Sequence, residues 1–245
     1  TARPTDTSAG VTARPTDTAA FHDDRITWLR HNRVDLALHE LRSGEATTRP
    51  LLVLHGLGES APTDVPGWVD WRGPVHALDF TGHGRSTVPA GGGYQSEMLL
   101  GDADHALAHL VEHGAADTVT VVGRGLGAYV ALQLAGARAE RVHGAVLLDG
   151  PGLAGGATGP SSMSYTHVPD TEIGRAPDPY ALIELSRELR PADYATSFVR
   201  LANAGSPARA PIVVCSTFRP TWLAAVADAP GVADTSLADA FTLLD

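Results

Sequence analysis

Gly123-Arg124-Gly125-Leu126-Gly127 follows the apolar run Val119-Thr120-Val121-Val122 and leads into a helical stretch, Ala128 to Ala137. A strand, a sharp glycine turn and a helix in that order form the frame that presents a nucleophilic serine from the middle of a G-x-S-x-G pentapeptide. Here the middle residue is glycine, so Gly125 brings no oxygen or sulfur to a substrate. The backbone N–H groups of such a turn do not depend on that side chain. Leu126 opens a helix whose N-terminal dipole favours negative charge, so a carbonyl or an anion remains a conceivable ligand.

Other chemically capable residues carry weaker signals. Asp79 follows an apolar run in Asp79-Phe80-Thr81-Gly82-His83-Gly84-Arg85-Ser86, and Asp149 directly follows Gly144 to Leu148. Either carboxylate is a candidate base, with pinning of its own turn as the simpler role. Cys215 ends the strand-like Pro211 to Cys215 and reads as a small buried hydrophobe. His105, His109 and His113 recur at helical spacing, with Asp102 and Glu112 assigned to the same face, a pattern that could chelate zinc. Leu99, Ala103, Leu107 and Leu110 form the opposite face, so a solvated polar side is the better reading and no metal is expected.

These residues need elements to position them. Val34 to Arg42 alternates as a half-exposed antiparallel strand, with a hairpin return expected across Ser43-Gly44. Leu51 to His55, Val75 to Phe80, Val119 to Val122, Gly144 to Leu148 and Pro211 to Cys215 are short apolar runs. Helix-like segments such as Gln95 to His113 separate them, which is the alternation of a mostly parallel α/β sheet flanked by helices. From about 150 to 207 the pattern breaks, first into a Gly/Ser/Pro-rich stretch. Two amphipathic helices follow, Pro179 to Arg190 and Ala192 to Ala204, and the whole insertion is expected to form a short cap or lid. Residues 1–20 hold Thr-Ala-Arg-Pro-Thr-Asp-Thr twice and are expected to be a flexible tail, leaving 21–245 as a single domain.

His55-Gly56-Leu57-Gly58, the Asp79 to Ser86 loop and the Gly123 to Gly127 turn occur in that order, and together they resemble the α/β-hydrolase superfamily. The resemblance covers roughly residues 33 to 245. It implies that Leu57 and Leu126 supply the two oxyanion-hole amides, that His55, Gly56, Arg124 and Gly125 line the ligand site, and that His83 is structural. It also implies a catalytic histidine after the last strand, whereas the last histidine in this sequence is His167. After Cys215 the expected acid loop reads Ser216-Thr217-Phe218-Arg219-Pro220, without a carboxylate. The N-myc-downstream-regulated proteins are similar in carrying a glycine-rich elbow on this fold, and they set a non-enzymatic precedent. The expectation is a protein without the Ser/Asp/His triad. It would bind a small apolar carbonyl or carboxylate ligand, or a protein partner, in the former active-site cleft, with glycine enlarging the pocket. The alternative is an esterase-like hydrolase or a lyase-like enzyme using a non-serine group.

Composition narrows the classes further. A formal charge of -10 with no basic stripe argues against nucleic acid. No run approaches the ~18 apolar residues of a membrane span, which argues against an integral membrane protein. All 18 basic residues are arginine, which excludes Schiff-base lysine chemistry in these 245 residues. With a single cysteine no internal disulfide forms, a pattern that fits a reducing cytoplasm. No cofactor is expected.

Overall fold

The computed structural model describes residues 25–31, 33–44, 48–114, 116–156 and 174–245. The repeated N-terminal segment and the middle of the expected cap lie outside these residues. Eight strands form one sheet: β1 (Ile26–His31), β2 (Val34–Arg42), β3 (Leu51–Leu54), β4 (Val75–Leu78), β5 (Val119–Arg124), β6 (Val142–Leu148), β7 (Ile212–Val214) and β8 (Val232–Asp234), in the order β1-β2-β4-β3-β5-β6-β7-β8. β1 and β2 pair antiparallel, as do β2 and β4; every other pairing is parallel.

The hairpin expected after Arg42 lies instead before it. β2 returns on β1 from His31↔Val34 outward, and the chain after Arg42 crosses to β3, which β4 separates from β2. β1 was not legible in the sequence because it is an edge strand that buries only Leu29.

Successive residues of the inner strands serve opposite faces. Leu52, Leu54, Val121, Ala145 and Leu147 join one core with α1 (Ser96–His113), α2 (Leu126–Ala137), α4 (Ala192–Gly205) and α5 (Thr221–Ala227). Leu51, Val53, Val122, Val146 and Val213 join the other, against Trp71 and α6 (Leu237–Leu244). Burial on both faces is why these runs read as continuous apolar segments rather than alternating ones.

Of the two helices expected in a cap, α4 packs on α2 and α5, with Phe198, Val199 and Ala202 buried. That segment belongs to the layer flanking the sheet, because its apolar stripe meets α2 rather than an open cleft. The other, α3 (Pro179–Arg187), starts at Asp178, whose carboxylate accepts the Tyr180 N–H. Its Glu184 accepts the N–H groups of Gly93 and Tyr94, and Glu188 just beyond it accepts that of Ser96 at 2.6 Å. These carboxylates satisfy donors at the start of α1, whose N-cap Gln95 makes no side-chain capping bond. No described helix is long and apolar enough to cross a membrane.

Candidate functional site

The parallel strands β3, β5 and β6 are neighbours, and the turns at their C-terminal ends converge. Leu54 of β3 pairs with Gly123, and Arg124 of β5 pairs with Leu148 of β6. His55-Gly56-Leu57 leaves β3, Gly125 leaves β5, and Asp149-Gly150-Pro151 leaves β6. Such a meeting of carboxyl ends is where open α/β sheets bind ligands.

Gly125 is the N-cap of α2, with φ 59 and ψ -121. Non-glycine residues rarely adopt this backbone, and it makes the sharp turn from β5 into α2. The volume in front of it is filled. A Cβ on Gly125 would overlap the Pro151 carbonyl oxygen and lie 2.6 Å from the Gly150 carbonyl carbon and 2.8 Å from that of Pro151. The same Pro151 oxygen accepts the N–H of Leu57 at 3.0 Å and the N–H of Leu126 at 2.9 Å. Both amides expected to form an oxyanion hole therefore hold a carbonyl of the chain itself. The enlarged pocket expected from a glycine at this position is absent, because the backbone after β6 turns into that space.

The segment 150–156 is fastened on its outer side as well. Gly152, at φ 77, lies so close that a Cβ would come 2.6 Å from the Leu57 Cβ and 3.3 Å from the Leu126 Cβ. Arg190 is buried and directs Nη1 to the carbonyls of Gly152 and Leu153, the latter at 2.8 Å, while its guanidinium lies 4.6 Å from the centre of the Tyr129 ring. Trp222 donates Nε1–H to the Leu153 carbonyl at 2.9 Å, and the Gly156 N–H bonds the Glu188 carbonyl at 2.6 Å. On the elbow's other flank, Glu59 joins the two turns: it accepts the Gly56 N–H at 2.9 Å and the Arg124 guanidinium at 2.7 Å.

The remaining predicted residues are engaged in holding turns. His55 is buried; its Nε2 accepts the Phe80 N–H at 3.2 Å, which assigns the proton to Nδ1, donated to the Gly56 carbonyl at 2.8 Å. Burial first, then repulsion from His83, lowers its pKa to about 4, so it is neutral near pH 7. Asp79 accepts the Ala61 N–H at 2.7 Å, the Arg85 N–H at 2.9 Å and His39 Nε2 at 2.8 Å. Burial alone would raise its pKa, but these partners hold it below the ordinary carboxylate value. Asp149 accepts the Ser216 hydroxyl, both the N–H and the hydroxyl of Thr217 at 2.8 Å, and the Phe218 N–H at 3.0 Å. It too is held low against the effect of burial and braces the loop after β7. Both carboxylates are engaged by several donors and held low, whereas a general base at neutral pH is tuned upward.

His83 is buried with Nδ1 on the Thr81 carbonyl, and Ser86 bridges the Asp79 carbonyl and the Ala37 N–H. The Cys215 thiol is half-buried, and burial, followed by the nearby Asp234 and Asp239, pushes it up to about 11, far from a reactive thiolate. Asp102 does not share the polar face of the α1 histidines. It is buried beside Ala103 and accepts the Thr81 N–H at 2.8 Å and hydroxyl at 3.0 Å. His105 bonds the Arg30 carbonyl, and His113 bonds the His109 carbonyl. Among the described residues no group of three or more His, Cys, Asp or Glu is placed to hold a metal ion.

Sequence reasoning missed Pro151, Arg190, Trp222 and His39. A buried arginine on two carbonyls and an indole on a third have no local signature. The dipeptide Pro151-Gly152 offered only a turn signal.

A mostly parallel eight-stranded sheet with this sharp turn between β5 and α2 is consistent with the α/β-hydrolase fold. The chain belongs to the alpha/beta hydrolase family, whose sequence profile matches residues 51–244. Among solved structures, a candidate lipase from Acinetobacter baumannii AYE aligns at 16% identity over 86% of this chain and 83% of that one, with a TM-score of 0.55, a likeness of fold alone. An N-acyl homoserine lactone degrading enzyme aligns at 26% identity over 52% of this chain and 47% of its own length, TM-score 0.42. Epoxide hydrolase A from Mycobacterium thermoresistibile aligns at 27% over 50% and 38%, TM-score 0.42. The chain spans less than half the length of the first two solved structures it matches, 47% and 40%. No curated protein matches it.

Proposed function

We propose that this chain is a non-hydrolytic member of the alpha/beta hydrolase family that works by binding a small molecule or a protein partner, its elbow having become a structural joint. The observation that carries this reading is the Pro151 carbonyl oxygen, which accepts both the Leu57 and Leu126 amides and stands where a nucleophile's side chain would begin. A substrate carbonyl needs those donors free to meet its developing negative charge. A carbonyl or carboxylate ligand at His55, Gly56, Leu57, Arg124, Gly125 and Leu126 has to displace Pro151 first. Hydrolysis through Asp79 or Asp149 has only family membership in its favour, since Asp79 is engaged by the Ala61 and Arg85 amides and Asp149 by the loop after β7.

The test is a panel of short and medium acyl esters offered to the purified protein and to Gly125→Ser. Losing a triad nucleophile costs on the order of 10⁶ in turnover. A restored serine regains nothing here, because its oxyanion site is filled and its Cβ overlaps Pro151. No turnover above buffer is expected from either protein. Turnover that co-purifies with the wild type and is lost in Asp79→Asn or Asp149→Asn would overturn the reading.

A further inference from the structure

At the opposite end of the sheet from the elbow, a cavity of about 450 Å³ lies between β2, β4 and the C-terminal end of α1. That volume suits a small ligand. Leu38, Pro50, Pro74 and Leu110 supply apolar walls, and His76, His109 and His113 bring three imidazoles to it. Two segments supply them: His76 faces α1 from the strand that pairs with Glu40, while His109 and His113, one turn apart, stack at 4.2 Å on the last turns of α1.

The electrostatics select a ligand class. Burial and then His109 lower His76 to about 4, and burial and then His113 lower His109, so these imidazoles are neutral near pH 7. His113 donates Nδ1–H to the His109 carbonyl, so in the neutral tautomer that this bond selects Nε2 is the acceptor. Glu40 also lines the cavity, and its carboxylate makes no hydrogen bond or ion pair with the described residues. The last carbonyls of α1 add partial negative charge at the same end. Apolar walls, acceptor nitrogens and the Glu40 carboxylate together fit a cation with a greasy body and repel an anion.

We propose that this cavity binds a small organic ammonium ion with an apolar body, its N–H groups shared between Glu40 and the histidines of β4 and α1. The site lies outside the elbow, so it stands or falls independently of the hydrolytic question.

Benzylammonium is the probe, titrated into the full chain by calorimetry and by amide chemical shifts. Saturable binding is expected, with perturbed amides at Leu38, Glu40, His76 and His109 to Gly114. Glu40→Gln, a substitution at an exposed position, should weaken binding about tenfold or more, the scale of one charge-assisted hydrogen bond. Benzyl alcohol, with the same ring and no charge, should bind correspondingly more weakly, and benzoate not at all. Lack of saturation in the millimolar range, equal affinity for benzyl alcohol, unchanged affinity in Glu40→Gln, or perturbations confined to other residues would each overturn the assignment.

Discussion

Replacing Gly125 by alanine adds one methyl group at the point where three backbone segments meet. Its Cβ would overlap the Pro151 carbonyl oxygen and lie 2.6 Å from the Gly150 carbonyl carbon, against an ordinary contact near 3.5 Å. Neither obstacle is a flexible side chain, so segment 150–156 has to move by about an ångström, which takes the Pro151 oxygen away from the Leu57 and Leu126 amides. Leaving a buried N–H without an acceptor costs about 1–3 kcal/mol. Two of them, with some rescue by water, give roughly 3 kcal/mol. The backbone at φ 59 adds about 1 kcal/mol for a residue with a Cβ. The stiffer unfolded chain returns about 0.4–1 kcal/mol. The net expectation is a loss of about 3 kcal/mol, a large part of the 5–15 kcal/mol typical of a folded domain.

Urea unfolding followed by tryptophan fluorescence measures that loss, since Trp71 and Trp222 are both buried. Hydrogen exchange of the Leu57 and Leu126 amides locates it. Gly91→Ala is the control: Gly91 has φ 92 and nothing within 4 Å of a Cβ, so it reports the backbone cost alone. If Gly125→Ala costs no more than Gly91→Ala and both amides stay protected, the claim that the Pro151 carbonyl is locked into the elbow is wrong.

Two further outcomes are expected. Arg190→Met keeps an unbranched apolar side chain beside Tyr129 but removes the guanidinium over its ring and the donors to the Gly152 and Leu153 carbonyls. It should destabilise by about 2–4 kcal/mol and speed exchange at Leu57 and Leu126 more than at the β5 amides, while uniform acceleration would make Arg190 a general packing residue rather than a clamp on segment 150–156. Asp102 is pushed by burial up to about 7 from an ordinary 3.8, with Thr81 opposing, so it is protonated in the fold over a range where it is ionised in the unfolded chain. Its stabilising contribution is complete below about pH 4 and is lost as pH rises through about 7, amounting to roughly 4 kcal/mol across that window. Asp102→Asn has no such titration, so the variant should gain on the wild type in urea titrations from pH 4 to pH 8, and a constant difference would refute the assignment.

Local sequence carried most of the fold. Leu51 to His55, Val119 to Val122 and Gly144 to Leu148 are short, apolar and bounded by turns, so their strands follow from composition and length. The helix over Ser96 to His113 follows from the spacing of Leu99, Ala103, Leu107 and Leu110. The order of the His55, Asp79 and Gly123 motifs gave the family, because each motif is a local backbone demand made by its own residues. β8 and α5 escaped notice since three-residue and seven-residue elements are too short to show a period, and their stability comes from packing against β7 and α4.

The site was legible only in outline. The sequence by itself determined that Gly125 carries no nucleophile, while the Leu57 and Leu126 amides were only implied by the resemblance to α/β hydrolases. Only the tertiary structure decided what those amides hold. A main-chain carbonyl has no side-chain identity, so nothing in the letters Gly150-Pro151-Gly152 says that one oxygen will receive two N–H groups from different turns. That depends on β6 emerging beside β5 and on Arg190 and Trp222 arriving from distant segments to hold the crossing. The cavity at the far end of the sheet has the same origin: Glu40 and His76 face each other only through strand register, and they meet His109 and His113 only because α1 packs across both strands.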